Sequence, residues 1–162
     1  MLAVARILSR GPALAALLLA PAACGGGAEG GEETTLFPAD YAASFEEVRD
    51  CRRSSDHDLN YVRVLADPAA LEPYQGREEP FPDGAVVLKE EYDFADDTCS
   101  GEIIQWTVMS RLAEGSAPDT LDWQWQTVDA ERAVEDENAV TCTGCHSECQ
   151  APTGYASTCA DP

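Results

Sequence analysis

The sequence has few basic residues, few histidines and few methionines. Lysine and arginine together number 10 against 30 aspartates and glutamates, only one of the 10 is a lysine, and there are 2 histidines and 2 methionines. So acidic a chain repels nucleic acid and anionic lipid, which argues against both as direct partners. The shortage of histidine also limits any metal site, because His57 and His146 are the only imidazoles available and lie far apart in the sequence.

One short stretch near the C-terminus nevertheless has a specific chemical meaning. It reads Cys142-Thr143-Gly144-Cys145-His146, the spacing that attaches a c-type haem covalently to protein. The two thiols can add to the two vinyl groups of a haem, and the adjacent histidine can bind the iron as the proximal ligand.

A zinc half-site and a redox-active cysteine pair are the alternatives for this motif. A tetrahedral zinc site needs a second pair of ligands, and the only other histidine is the distant His57. A redox pair has no need of a histidine directly after its second cysteine. Covalent haem in an oxidising export compartment is therefore the favoured interpretation.

The N-terminus has the features of an export signal. Arg6 and Arg10 precede an apolar run at residues 13–20, which is too short to span a bilayer. We predict a lipoprotein-type signal peptide at residues 1–23, lipidation of Cys24 and a glycine-rich flexible tether at residues 24–36, followed by one domain at residues 37–162. Removing the signal lowers the net charge from −20 to −22. An ordinary secretory signal that leaves the Cys24 thiol free is the alternative.

The remaining cysteines are even in number. With Cys24 assigned to lipid and Cys142 and Cys145 to haem, four cysteines remain, which an exported domain can pair as two disulfides in three ways. A local loop between Cys149 and Cys159 is the favoured choice, and it leaves Cys51 to pair with Cys99.

The central part of the sequence has mainly strand patterns. Strand patterns occur at residues 60–66, 85–92, 102–112 and 123–128, with a turn at residues 80–84. A helix is expected at residues 37–51, where Tyr41, Phe45 and Val48 recur at helical spacing, and a short one from Asp67. We therefore predict an α+β fold, mainly an antiparallel β-sheet with short flanking helices, unlike the small helical cytochromes c, in which the attachment motif comes near the start.

Four segments in this order resemble the cytochrome P-460 family and its relatives, the β-sheet cytochromes c prime. They are residues 61–68, 81–90, 122–125 and 142–146, and the resemblance extends roughly over residues 61–155. The family's hallmark is a second covalent bond to the haem from a lysine side chain, and Lys89 falls on that position. It is also the only lysine of the chain, and an arginine could not act as an amine nucleophile. A solvent-facing lysine at the end of a strand is the alternative.

The resemblance also implies roles for other residues. Glu137, the best placed of Glu135, Asp136 and Glu137, is expected to relay protons, and Arg63 is expected to pair with a haem propionate. His57 and Met109 are the remaining candidates for a sixth iron ligand. We expect Met109 in the core and His57 in a polar, solvent-exposed loop, so that the iron is five-coordinate with His146 proximal.

The implied activity is oxidation of hydroxylamine, with nitric oxide as a further candidate substrate. The alternatives are a protein that binds nitric oxide without turnover, an electron-transfer cytochrome and a haem-free relic stabilised by disulfides. We expect an exported lipoprotein at the outer or inner membrane facing the periplasm, or at the cell surface, held to the membrane only by its lipid. A redox partner protein and a homodimer are further expectations.

Overall fold

The computed structural model describes residues 34–150 and 154–159. These residues form one six-stranded antiparallel sheet with two short α-helices. The strands are β1 (Glu46–Arg53), β2 (Tyr61–Ala66), β3 (Val86–Tyr92), β4 (Ile103–Arg111), β5 (Trp123–Asp129) and β6 (Val134–Glu137), and the helices are α1 (Leu71–Gly76) and α2 (Val140–His146). Each strand pairs with the next along the chain, which confirms the predicted mainly antiparallel α+β fold.

The two faces of the sheet are both covered. Side chains alternate between the faces along each strand, so β3 places Val87, Lys89 and Glu91 on one face and Leu88 and Glu90 on the other. We call the first the cavity face; its buried residues pack with the end of α1. We call the second the N-terminal face; Phe37 and Tyr41 cover it. Burial on both faces explains why β3 is apolar at most positions and not only at alternate ones.

The helix predicted at residues 37–51 is wrong. The structure has a single turn of 3-10 helix at Tyr41–Ala43, followed by strand β1. Tyr41 packs on the N-terminal face and Val48 on the cavity face, so the apolar residues at helical spacing serve opposite sides of the sheet. Two register shifts between β1 and β2 also remove the alternation that identifies a strand in sequence.

The second missed strand is β6, which forms the other edge of the sheet. Its burial pattern is one half-buried residue, Val134, followed by three exposed acidic residues. Charged, short strands are typical of sheet edges, where they discourage pairing with other chains. Such strands carry little hydrophobic signal in sequence.

The expected turn and short helix are present with adjusted bounds. Gly84 has a φ of 81° in the turn before β3, a conformation that glycine adopts without strain. Helix α1 begins at Leu71 and not at Asp67; the Asp67 carboxylate instead accepts a hydrogen bond from the Ala70 amide at 2.7 Å and closes the preceding turn. Within the described residues, neither helix has the length and apolar content that a membrane crossing demands. The predicted signal, Cys24 and residues 24–33 of the tether lie outside the described residues.

Candidate functional site

A cavity of about 750 Å³ lies between the cavity face of the sheet and α2. Both cysteines and the histidine of the haem-attachment motif line it, together with Lys89 from the opposite wall. Its apolar wall includes Val64, Val87, Met109 and Trp125. A volume of this size is in the range of cofactor sites, and the cavity brings together residues that are 53 or more positions apart in sequence.

Helix α2 presents the motif to the cavity on one face. Residues three and four apart lie on the same side of a helix, so Cys142, Cys145 and His146 point in similar directions. Cys142 is half-buried and Cys145 exposed, and both are free thiols. The arrangement leaves both sulfurs able to react with a group in the cavity.

His146 is oriented as a metal ligand. Its ring is buried, with Nδ1 donating to the carbonyl oxygen of Ser157, and it lies edge-on to Trp125 at 4.7 Å between ring centroids. Burial, followed by the nearby charge of Lys89, lowers the pKa of His146 to about 3, which keeps the imidazole neutral. Because the proton is on Nδ1, Nε2 carries the lone pair, which is the form that binds iron.

The C-terminal disulfide holds the carbonyl that orients His146. Cys149 and Cys159 are bonded, and the Ser157 amide donates to the Cys149 carbonyl at 3.2 Å. Cys51 and Cys99 form the other disulfide, so the structure contains both expected pairs. His146, Cys149 and Cys159 lie close enough to hold a metal, but two bonded sulfurs cannot act as thiolate ligands, which argues against zinc at this point.

Lys89 projects from the centre of β3 into the cavity. Its Nζ lies 2.8 Å from His57 Nε2, and burial lowers the pKa of its amine below the usual value. A lysine of lowered pKa is a better nucleophile at neutral pH, since more of it is unprotonated. The structure thus places Lys89 in the cavity that carries the motif and not at the solvent-facing end of a strand.

Two further residues belong to the site: His57, which was expected in an exposed loop, and Glu91, which was not predicted. His57 is not an exposed loop residue: its side chain is 17% exposed and its Nδ1 lies 2.9 Å from the buried Glu91 carboxylate. Burial raises the pKa of Glu91, but hydrogen bonds from His57 and Thr107 and the adjacent imidazole outweigh it and leave this pKa below its usual value. Glu91 could have been found from its spacing, because residues two apart on a strand share a face.

The position of Arg63 does not support the propionate role expected of it. Arg63 lies opposite Glu90 on the N-terminal face, where its guanidinium donates to the Glu90 carboxylate from Nε at 2.8 Å and also from a terminal nitrogen. Tyr41 and Tyr92 donate to the same carboxylate, each at 2.7 Å. Alternation along β2 and β3 therefore turns this pair away from the cavity.

The proton-relay role expected of Glu137 is not supported by its position. Its carboxylate is exposed and accepts a hydrogen bond from the Gln126 side chain at 2.7 Å. The same amide of Gln126 donates to the carbonyl of Thr34, in the segment leading to the N-terminal face. The neighbouring Asp136 pairs with Thr127 in the cross-strand row that contains Thr107 and Lys89, so it points toward the cavity face.

Three arginines that the sequence analysis did not single out lie along the rim of the cavity. They are Arg49, Arg52 and Arg53, all from β1. Arg49 donates to the carbonyl of Cys159 at 2.9 Å, and the Nε of Arg52 is buried without a hydrogen-bond partner in the described part of the chain. Such cations suit the carboxylates of a haem. The thiols, the neutral imidazole and the arginines together fit that cofactor.

The Met109 side chain was expected in the core, and it is buried at 4% exposure beside the cavity. Trp123 and Trp125 pack on the same face and donate their ring N–H groups to the carbonyls of Ala156 and Thr120. These contacts make both tryptophans structural walls of the site.

Comparison with known families agrees with this geometry. The family model for cytochrome P460 matches residues 38–155, which is most of the chain. The chain belongs to the cytochrome P460 family. No curated protein matches the sequence. Membership supports a haem-binding, cytochrome-like protein with iron as its metal, and the matched range contains Lys89, both thiols of the motif and His146.

Proposed function

We propose that this cytochrome P460-family protein is an exported c-type haem protein that oxidises hydroxylamine, with nitric oxide as a candidate second substrate. One observation carries the proposal: a single cavity is lined by the Cys142–Cys145–His146 cluster on α2 and by the lone lysine, Lys89, on β3. When bound, a haem supplies redox chemistry at its iron and a coordination position for a small ligand.

The motif residues would hold the haem covalently. Cys142 and Cys145 would each form a thioether, and His146 would bind the iron, with Ser157 and Trp125 holding its ring in place. Arg49 and Arg52 stand at the rim, where they can pair with the two propionates. Val64, Val87 and Met109 would give the haem an apolar surrounding on one wall of the cavity.

The positions of the two alternative ligands, His57 and Met109, favour an iron without a sixth protein ligand. His57 is bonded through both ring nitrogens, to Lys89 and to Glu91, and Met109 is packed in the core. A five-coordinate iron binds small nitrogen oxides, whereas a sixth protein ligand is typical of electron carriers. The contacts therefore favour a ligand-binding site over simple electron transfer.

Lys89 would make the second attachment to the haem. Burial in the cavity lowers the pKa of its amine, and a free amine can bond to carbon.

Export is supported by the two disulfides, since such bonds persist in oxidising compartments. Lipid at Cys24 would then be the only contact with the membrane, on either the periplasmic or the outer side, and a redox partner protein would accept the electrons. The proposal also includes assembly of the protein as a homodimer.

The test is the mass and the spectrum of the protein purified from a bacterium that can mature c-type haem. We expect one haem per chain, retained after denaturation, and a shifted, broadened ferrous band. The Cys142→Ala/Cys145→Ala double variant should lose covalent haem, whereas Thr143→Ser, within the same helix, should keep it. Protein without covalent haem would contradict the proposal.

Capture of nitric oxide without turnover is the second candidate. It is favoured by the position of Glu137, which leaves the expected proton relay outside the cavity. Consumption of hydroxylamine with an artificial electron acceptor separates the two functions. Wild-type protein that binds nitric oxide but consumes no hydroxylamine would establish the second.

A further inference from the structure

Three polar side chains form a continuous chain of contacts in the wall of the cavity. Glu91 Oε1 lies 2.9 Å from His57 Nδ1, and His57 Nε2 lies 2.8 Å from Lys89 Nζ. Lys89 and Glu91 come from the same face of β3, and His57 comes from the loop between β1 and β2. The loop therefore delivers its imidazole to the space between two residues already aligned by the strand.

The order of donors and acceptors along this chain follows from the carboxylate. Glu91 also accepts from the Thr107 hydroxyl at 3.1 Å, and an ionised carboxylate only accepts hydrogen bonds. The proton of neutral His57 must then be on Nδ1, which leaves a lone pair on Nε2 facing the lysine amine. Carboxylate, imidazole and nucleophile in this order form the general arrangement that activates protein nucleophiles.

We propose that His57, oriented by Glu91, is the proton acceptor for Lys89 when the lysine amine bonds to the edge of the haem. The inference rests on the proposed function, because it concerns the second attachment. In this scheme His57 is the base, because it contacts the reacting amine, and Glu91 is a positioning residue, because it acts through His57.

The chemical step balances as follows. A bond forms between Lys89 Nζ and a ring carbon, one N–H and one C–H bond break, and the macrocycle and amine together lose two electrons and two protons. A peroxide, supplied from solution, accepts the two electrons and is reduced to water. The N–H proton passes to His57 Nε2, and the C–H proton passes to solvent.

The surroundings of Lys89 leave His57 as the acceptor in contact with the amine. Among the described residues, the charged and titratable groups that act on the amine from other elements include Asp56, Arg49, Cys142 and His146. His146 would use its lone pair to bind iron in the proposed haem protein, Arg49 is cationic, and burial raises the pKa of Cys142. Asp56 is exposed, and the structure shows the contact of Lys89 with His57 at hydrogen-bond distance.

The experiment counts linked lysine in the haem-loaded full-length protein. Because Lys89 is the only lysine, peptide mass spectrometry reports the fraction of chains in which it carries haem, before and after addition of peroxide. We expect His57→Gln to keep haem on Cys142 and Cys145 but to link Lys89 about 100-fold more slowly than wild type, the scale of general-base catalysis. Glu91→Gln, which leaves the imidazole in place, should slow linking less. Asp58→Asn, an exposed change in the same loop, should link like wild type.

The pH dependence separates proton transfer from a purely structural role. Hydroxide can replace a missing base, so linking in His57→Gln should recover as the pH rises, while wild type changes little. His57→Gln that links at the wild-type rate, or a deficit that no rise in pH reduces, would overturn the inference and leave the double attachment intact. Wild-type protein that holds haem but never links Lys89 would overturn the double attachment itself and the inference with it.

Discussion

Glu90 and Glu91 are neighbours in β3, are equally buried at 2% exposure, and have opposite surroundings. On the N-terminal face, Glu90 is bound by Arg63, Tyr41 and Tyr92, and Trp106 donates in turn to the Tyr41 hydroxyl at 3.0 Å. On the cavity face, Glu91 leads through His57 to an amine that opens onto 750 Å³ of space. A closed network with every partner inside the protein stabilises the fold, whereas one that ends at a cavity is available for chemistry.

We expect the two disulfides to differ in the same way, one stabilising the fold and the other also supporting the site. Removing them should cause the largest losses in the free energy of unfolding. Cys51–Cys99 spans 48 residues and Cys149–Cys159 spans 10. By loop entropy, alanine pairs should lower the free energy of unfolding by about 4 kcal/mol for the first bond and about 2–3 kcal/mol for the second.

Denaturant unfolding measures these losses, and the spectrum of the haem-loaded protein measures the site. Only the Cys149→Ala/Cys159→Ala variant should alter the iron-ligand spectrum, because that disulfide holds the Ser157 loop against His146. An altered spectrum in the Cys51→Ala/Cys99→Ala variant alone would contradict the expectation that the Cys149–Cys159 bond is the one that supports the haem site.

Glu90→Ala tests the closed network. We expect a loss of about 3 kcal/mol in unfolding free energy, because Arg63 and two tyrosine hydroxyls lose their acceptor in a buried setting; partial exposure of Arg63 places the effect at the low end of the range for broken buried pairs. Glu47→Ala is the matched control, since Glu47 is an exposed partner of the same arginine at 3.7 Å, and it should cost less than about 0.5 kcal/mol. A haem spectrum unchanged in both variants would support the separation of the faces.

Acid should weaken the cavity network through Glu91. The pKa of Glu91 is lowered in the folded protein from an ordinary value of 4.5, so its ionised form contributes stability above that pH, and the contribution disappears as the pH falls through the folded-state value. The Glu91→Gln variant should therefore lose less stability than wild type between neutral pH and pH 3. Urea unfolding at both pH values measures the two losses. An equal acid loss in the two proteins would show that Glu91 is not held by His57.

The smallest expected effect on stability comes from the rim of the cavity. Arg52→Gln should change the free energy of unfolding by less than about 0.5 kcal/mol, since its side chain is 39% exposed and its ion pair with Asp50, at 3.4 Å, is on the surface. If Arg52 holds a haem propionate, the same change should shift the haem reduction potential relative to wild type. Arg53→Gln, at the same rim but more exposed, is the control. Equal potentials in all three proteins would remove Arg52 from the propionate site.

The four central or near-central strands could be predicted because each carries enough β-favouring apolar residues to bury at least one face. The edge strands β1 and β6 could not be predicted, because register shifts interrupt β1 and because β6 is mostly acidic. Their pairing depends on contacts with β2 and β5. The helix at residues 37–51 was wrongly predicted because Tyr41 and Val48, which recur at helical spacing, pack on opposite faces of the sheet.

The site divides in the same way. Sequence alone determined the features set by local spacing: the haem-attachment motif of Cys142, Cys145 and His146, and the position of Lys89 on a strand. Only the tertiary structure decided that Arg63 and Glu137 lie away from the cavity and that His57 reaches Lys89. The physical reason is range: covalent spacing orients side chains within one element, whereas the face that a helix or loop covers depends on packing between elements distant in the chain.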